Sequence, residues 1–358
     1  MKTQKRKCKK SLKRIVAIDL FCGAGGLTHG LLKESVIVKA GFDVDPICQY
    51  AFEANNEASF VLKDVAKVTA DEVKAFLGGG EDITMIAGCA PCQPFSKYTQ
   101  GKDTTKDKKW SMLYHFARIV EEVLPDIVTM ENVPQLMRHK VYADFEDKLR
   151  ALGYHVSSSV VFCPDYGLPQ TRQRLVLLAS RLGKIELIKP THKPENYKTV
   201  KEVIGGLPIL RHGSAHKEDR LHLASKLSDK NYKRIKASKP DGSWLDWDKE
   251  LVAQCHKKKG RKTYKSVYGR MSWDRPSPTI TTQFVGFGNG RFGHPSQGRA
   301  ISLREGALLQ TFPKDYKFIK DDEPVVIKNV ARMIGNAVPV DLGKLIGRSI
   351  VKHVGRFA

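Results

Sequence analysis

The 358-residue chain carries 61 Lys and Arg against 38 Asp and Glu, a formal net charge of +23, and 41% of its residues are hydrophobic. That is enough apolar material for a large buried core, while no run of about 18 apolar residues exists to span a bilayer. The basic opening MKTQKRKCKKSLKR lacks the apolar stretch of a secretory signal, so a cytoplasmic protein is expected, and seven cysteines without framework spacing fit free thiols.

The charge is unevenly placed. Residues 2–14 hold eight Lys or Arg and no acid; residues 15–182 hold 18 basic against 21 acidic residues; residues 183–270 hold 22 against 10, and residues 271–358 hold 13 against 7. A concentrated excess beside a near-neutral body describes a surface for a polyanion, nucleic acid above all, with solubilising lysine or a disordered arm as the bland alternatives.

From Ile15 onward, short Val- and Ile-rich runs alternate with helical patterns. RIVAIDLF, VIVKAGFD, SFVLKD, DITMIAG, DIVTMEN, VSSSVVF and RLVLLAS predict seven strands, mostly parallel and buried on both faces. Between them, Met112, Leu113, Phe116, Ile119, Val120, Val123 and Leu124 fall on one helical face, with Ser111 at the start and Pro125 as the stop. Strands joined by crossover helices predict an α/β fold with an open, doubly wound sheet. The rhythm ends near Arg181. The expected division is a basic tail over 1–14, a catalytic domain over 15–182, a smaller domain over 183–325 and a helical segment over 326–358 that packs back on the first domain. Residues 271–300 read as short strands joined by glycine turns.

Four clusters carry chemistry. IDLFCGAGGLTHG, residues 18–30, runs from a strand through a glycine turn into a helix, as backbone that approaches a nucleotide does; Thr28, however, stands where the third glycine of a dinucleotide fingerprint would fall. Asp43, 20 residues after Gly23, is spaced to accept ribose hydroxyls, which turns a bare tight turn into a site for a nucleoside-containing cofactor. In GCAPCQPFSK, Cys89 and Cys92 come off a strand at the carboxyl edge of the sheet, where prolines 91 and 94 preclude a helix. Cys92 is open to three readings: a packed thiol, half of a redox or metal pair with Cys89, or a nucleophile that needs nearby cations to ionise. Glu131 in ENVP ends the next strand, at the same edge. Arg172 and Arg174 in QTRQRL point to one face of an extended segment and make a fork for an anion.

IDLFCGAGG, FDVDP, Asp64 in LKDV, GCAPCQPFS, ENVP, QTRQR, RPSPTITT and IGNAVP stand in the order and spacing of the DNA cytosine-5 methyltransferases, particularly the bacterial restriction-modification type. The chain resembles that family from Ile15 to its C-terminus. The resemblance implies a Rossmann-like, S-adenosylmethionine-dependent methyltransferase sheet with a second, smaller DNA-recognition domain. It implies Cys92 as the nucleophile that adds to carbon 6 of cytosine, Glu131 as the group that holds N3 and the amino group, and Arg172 and Arg174 as partners of the base carbonyl and the thiolate. The implied cofactor is S-adenosyl-L-methionine, with Phe21 and Gly23 against it, Asp43 on the ribose, Asp64 and Val65 at the adenine edge and Asn336 arriving from the C-terminal motif. Asp19, Ala24, Gly25, Gly26, Pro91, Ala337 and Val44 complete the set; Val44 stands where the family often has a stacking aromatic.

The implied partner is double-stranded DNA, from which the cytosine is flipped, with a restriction endonuclease as functional counterpart; a monomer is expected. The loop 101–109 is placed like the family's mobile loop. Three other readings stand beside this one: a transfer-RNA cytosine-5 methyltransferase, a thioredoxin-like oxidoreductase using Cys89 and Cys92, and a catalytically idle DNA-binding regulator.

Overall fold

The computed structural model describes residues 13–80, 82–91, 111–257 and 266–357. Cys92, the loop 101–109 and the tail up to residue 12 lie outside them. All seven predicted strands form: β1 (Ile15–Leu20), β2 (Val36–Asp43), β3 (Ser59–Leu62), β4 (Ile83–Gly88), β5 (Ile127–Asn132), β6 (His155–Phe162) and β7 (Gln173–Ser180). They make one sheet in the order β3-β2-β1-β4-β5-β7-β6. β7 runs antiparallel to both of its neighbours, and the other pairings are parallel.

Successive side chains of a strand face opposite sides, so β1 feeds two cores. Val16, Ile18 and Leu20 pack with Leu113, Phe116 and Val120 of α4 (Ser111–Val123) and Phe145 and Leu149 of α5 (Lys140–Ala151). Ile15 and Ala17 pack with Leu27 and Leu31 of α1 (Gly26–Leu32) and with Leu342, Ile346 and Ile350 of α11 (Val340–Val354). α1 and α11 cross at bare backbone: a Cβ added at Gly30 would lie 2.4 Å from the Val340 carbonyl oxygen and 2.6 Å from Gly343 Cα. α2 (Cys48–Glu53) and α3 (Ala70–Leu77) complete this half; Thr69 and Glu72 close a reciprocal cap at the start of α3. Of the face expected on the helix after Ser111, Leu124 departs: it lies just past the end of α4, 42% exposed, with φ 54°.

Beyond β7 lie α6 (Val200–Ile204), α7 (Asp229–Ala237), α8 (Gln254–Lys257), α9 (Leu303–Leu309) and α10 (Ile327–Asn336). Leu227, Ile235, Trp244, Trp247 and Phe287 form a separate small core. The strands expected over 271–300 do not form; among the described residues this stretch makes only isolated bridges, such as Arg270 with Gly293 and Gly293 with Ala300. Its carbonyls are taken by side chains instead, for Arg270 donates to the oxygens of Ile235, His294 and Pro295. A buried bidentate pair, Arg299 with Glu305 at 2.7 Å twice, anchors the start of α9, where Ser302 and Glu305 cap reciprocally. Among the described residues no helix is long and apolar enough to cross a membrane.

Candidate active site

The strand order reverses between β1 and β4, and ligands of open α/β sheets bind at such a reversal, off the carboxyl ends of the strands. A cavity lies there, walled by Phe21 to Ala24 after β1, Asp43 to Asp45 after β2, Lys63 to Val65 after β3, Cys89 to Pro91 after β4 and Asn336 to Val338 after α10. Of the residues expected to hold a cofactor, Asp19, Phe21, Gly23, Ala24, Asp43, Val44, Asp64, Val65, Pro91, Asn336 and Ala337 line it; Gly25 and Gly26 do not. Those two glycines have a packing role. Gly25 (φ 87°) sits against Asn56 and Phe52, and a Cβ on Gly26 would fall 2.2 Å from the Val338 carbonyl oxygen.

The glycine turn is held by carboxylates. Gly23 N donates to Asp43 Oδ2 at 2.8 Å and Asp45 N to Asp43 Oδ1 at 2.9 Å. Burial pushes the Asp43 carboxyl up, and these two donors pull it back. Asp19 is 1% exposed and accepts the Thr28 hydroxyl at 2.7 Å on Oδ2, so the residue that breaks the dinucleotide fingerprint serves as a hydrogen-bond donor. Its other oxygen, Oδ1, has no donor among the described residues, and burial raises the carboxyl to about 7. A buried acceptor left open costs stability unless a ligand satisfies it. An orphaned carboxylate oxygen, a second carboxylate at ribose spacing and a bare glycine turn fit S-adenosyl-L-methionine, which brings an ammonium, a ribose and an adenine.

The second half of the site stands on β5. Gly88 pairs with Met130, which brings Cys89 level with Glu131. Glu131, 2% exposed, accepts the Cys89 thiol on Oε2 at 2.8 Å, and Arg174 Nε lies 2.8 Å from Oε1 as an ion pair. Asn132 Nδ2 donates to the Ala90 carbonyl at 3.0 Å and so fixes the loop leading to residue 92. Arg174 and Arg172 do not form the expected fork. Arg174 serves Glu131, whereas Arg172, 4% exposed, donates Nη1 to the Ile280 carbonyl at 3.1 Å.

Sequence reasoning missed several groups. Lys63, Cys48, Met112 and Arg332 line the cavity, and Arg332 pairs with Asp45 at 2.8 Å. Buried Gln170 donates to Gln310 Oε1 at 2.8 Å, and Gln310 donates in turn to the Ile334 and Ala337 carbonyls at 2.7 and 3.2 Å. This pair of carboxamides couples the QTRQR segment to the wall that carries Asn336. The thiols of Cys22 and Cys48 are raised by burial, and that of Cys163 is raised to about 11, so none of the three is ionised near neutrality.

Residues 15–352 match the model of the C-5 cytosine-specific DNA methylases. Over 340 residues the chain is 53% identical to the Type II methylase M.HgiDII of Herpetosiphon aurantiacus, covering 94% of this chain and 95% of that one. It is 28% identical to the Type II methyltransferase M.Sau96I of Staphylococcus aureus, covering 95% and 76%. Among solved structures, the methyltransferase EhMeth of Entamoeba histolytica superposes with a TM-score of 0.69 at 15% identity, covering 96% of this chain and 99% of that one; this is a likeness of fold. The fold is thus that of a methyltransferase. The chain belongs to the C-5 cytosine-specific DNA methylase family, and it is an enzyme that methylates carbon 5 of cytosine in DNA. The oxidoreductase and idle-regulator readings fall away.

Proposed function

We propose that this enzyme flips a cytosine out of duplex DNA, attacks it with Cys92 and uses S-adenosyl-L-methionine held in the cavity, as the modification half of a restriction-modification pair. The observation that carries the reading is the buried Glu131 carboxylate, clamped between Cys89 and Arg174 at the sheet edge from which the chain runs to Cys92. The relatives named as Type II methylases and methyltransferases support the pairing with an endonuclease. The enzyme would act in the cytoplasm as a monomer.

Carbon 5 of cytosine is a weak nucleophile. The Cys92 thiolate donates its pair to carbon 6, forming an S–C bond and pushing the ring electrons towards carbon 5 and N3. Glu131 delivers a proton to N3 through one oxygen as addition proceeds and accepts the amino N–H on the other, which neutralises the charge that builds on the ring. Arg174 orients Glu131, and Arg172 secures the start of β7 against residue 280. S-adenosyl-L-methionine, when bound, supplies the methyl group. Carbon 5 accepts it, then loses its proton, and the returning electron pair restores the ring double bond and expels Cys92. Asp19 would meet the cofactor's ammonium, Asp43 its ribose, and Asp64 with Val65 the adenine edge.

Flipping costs a few kcal/mol, which contacts to phosphate must offset. Residues 183–325, with their own small core and most of the positive charge outside the tail, suit target recognition, and residues 326–358 return to the catalytic half.

Sequencing DNA for 5-methylcytosine in cells that express the chain tests the activity. Duplex carrying 5-fluorocytosine at the target should become covalently attached at residue 92. An adduct on another residue, or none in an active preparation, would overturn the mechanism, and methylation of transfer RNA in place of duplex DNA would overturn the substrate.

A further inference from the structure

Beside the cofactor cavity lies a roomier hollow of about 930 Å³, bounded by the loop 281–290, residues 225–231 and α10. Arg332 and Asn336 line both, so the two share a wall. No acidic residue lines the second hollow among the described residues, while Lys226, Lys328 and Arg332 do. A wall of that sign accepts a phosphate backbone next to the reacting base.

The loop 281–290 is built to hold a fixed shape. Phe284 and Phe287 are 0% and 1% exposed and sink into two different apolar cores. Phe284 lies where only a glycine fits opposite, since a Cβ on Gly306 would come within 2.2 Å of its ring. Successive turns, Phe284 N to Thr281 O at 3.2 Å and Gly286 N to Gln283 O at 3.0 Å, close the backbone between these anchors. What the loop presents outward are two carboxamides, Gln283 and Asn289, both exposed and without a hydrogen bond among the described residues. Other carboxamides, Gln170, Gln310 and Gln297, bond within the fold instead.

Resting on the proposed methylation of duplex DNA, we infer that Gln283 and Asn289 are specificity-determining residues that read base edges beside the target cytosine. A carboxamide offers one donor and one acceptor side by side, which matches N7 and N6 of adenine in the major groove. Rigid anchors matter here, because a reader held by a fixed loop loses little freedom on binding. The recognised sequence should therefore include an A·T pair.

The test uses the full chain and its Gln283→Ala, Asn289→Ala and Lys328→Ala variants, read by 5-methylcytosine sequencing and by competition binding between the recognised duplex and duplexes with one pair replaced. Each carboxamide variant should lose about 10- to 100-fold in preference at one A·T position while keeping the others. Lys328→Ala should weaken all duplexes alike, as a phosphate contact does. Competition needs no turnover, so a slow variant is still informative. A recognised sequence with G·C pairs only, or carboxamide variants with unchanged preference at every position, overturns the inference while leaving methylation intact. A wild-type chain that deposits no 5-methylcytosine instead sinks the reading on which it rests.

Discussion

Replacing Gly26 by Ala should separate the glycine turn from the C-terminal wall of the cofactor cavity. The added Cβ would sit 2.2 Å from the Val338 carbonyl oxygen, against an ordinary contact of 3.4 Å or more, so the two backbones must part by about 1.2 Å. The obstacle is backbone, which cannot rotate aside. Overpacking of this kind costs about 1–3 kcal/mol, and a chain of this size melts a few degrees lower for each kcal/mol lost. The displaced segment carries Asn336, Ala337 and Val338, all of which line the cavity. A misplacement near 1 Å can cost up to about 100-fold in rate. Thermal melting, calorimetric titration with S-adenosyl-L-methionine and single-turnover methylation of duplex DNA would measure the three effects. Gly79→Ala, where nothing lies within 4 Å, is the neutral control. A Gly26→Ala enzyme with unchanged melting point and cofactor affinity would refute the reasoning.

Cofactor affinity should fall as pH drops through about 7, because the Asp19 carboxyl titrates there and its ionised form is the one an ammonium stabilises; Asp19→Asn should bind more weakly and with no such pH step in calorimetry. His294 is buried, its Nδ1 accepts the backbone N–H groups of Ser296 and Gln297, and burial lowers it from 6.5 to about 4. The unfolded chain therefore takes up that proton first: stability is full above pH 6.5 and about 3 kcal/mol is lost as acid titrates to pH 4. Melting curves of His294→Asn should lack this acid slope. Binding to duplex DNA should weaken by on the order of 10³ between 50 and 200 mM salt if about six phosphates are contacted, and a flat response would remove the positive segments from the DNA face.

The strands were legible as short runs bounded by helical patterns, a local property, but the expected burial on both faces fails for the edge strands β3 and β6, most of whose residues stay partly or fully accessible. The reversed direction of β7 was not legible, since direction depends on the partner strand and leaves no mark in RLVLLAS itself. Asp43 was legible from its distance to Gly23, and the hydrogen bond between them accounts for the spacing. The Cys89 to Glu131 contact needs β4 beside β5, and the Gln170 to Gln310 contact joins residues far apart in the chain; no local pattern reports either. Residues 271–300 misled because glycines between β-branched residues look like hairpins, whereas here they make room for aromatic and arginine side chains; a Cβ on Gly290 would meet Phe292 at 2.5 Å.

The crossing of α1 with α11 bears on how the protein is made. α1 finds this packing surface only once α11, far downstream in the chain, has been translated, so that face of the sheet stays partly bare until then. A messenger truncated before residue 340 should therefore yield a chain whose Leu27 and Leu31 lack Leu342, Ile346 and Ile350 against them.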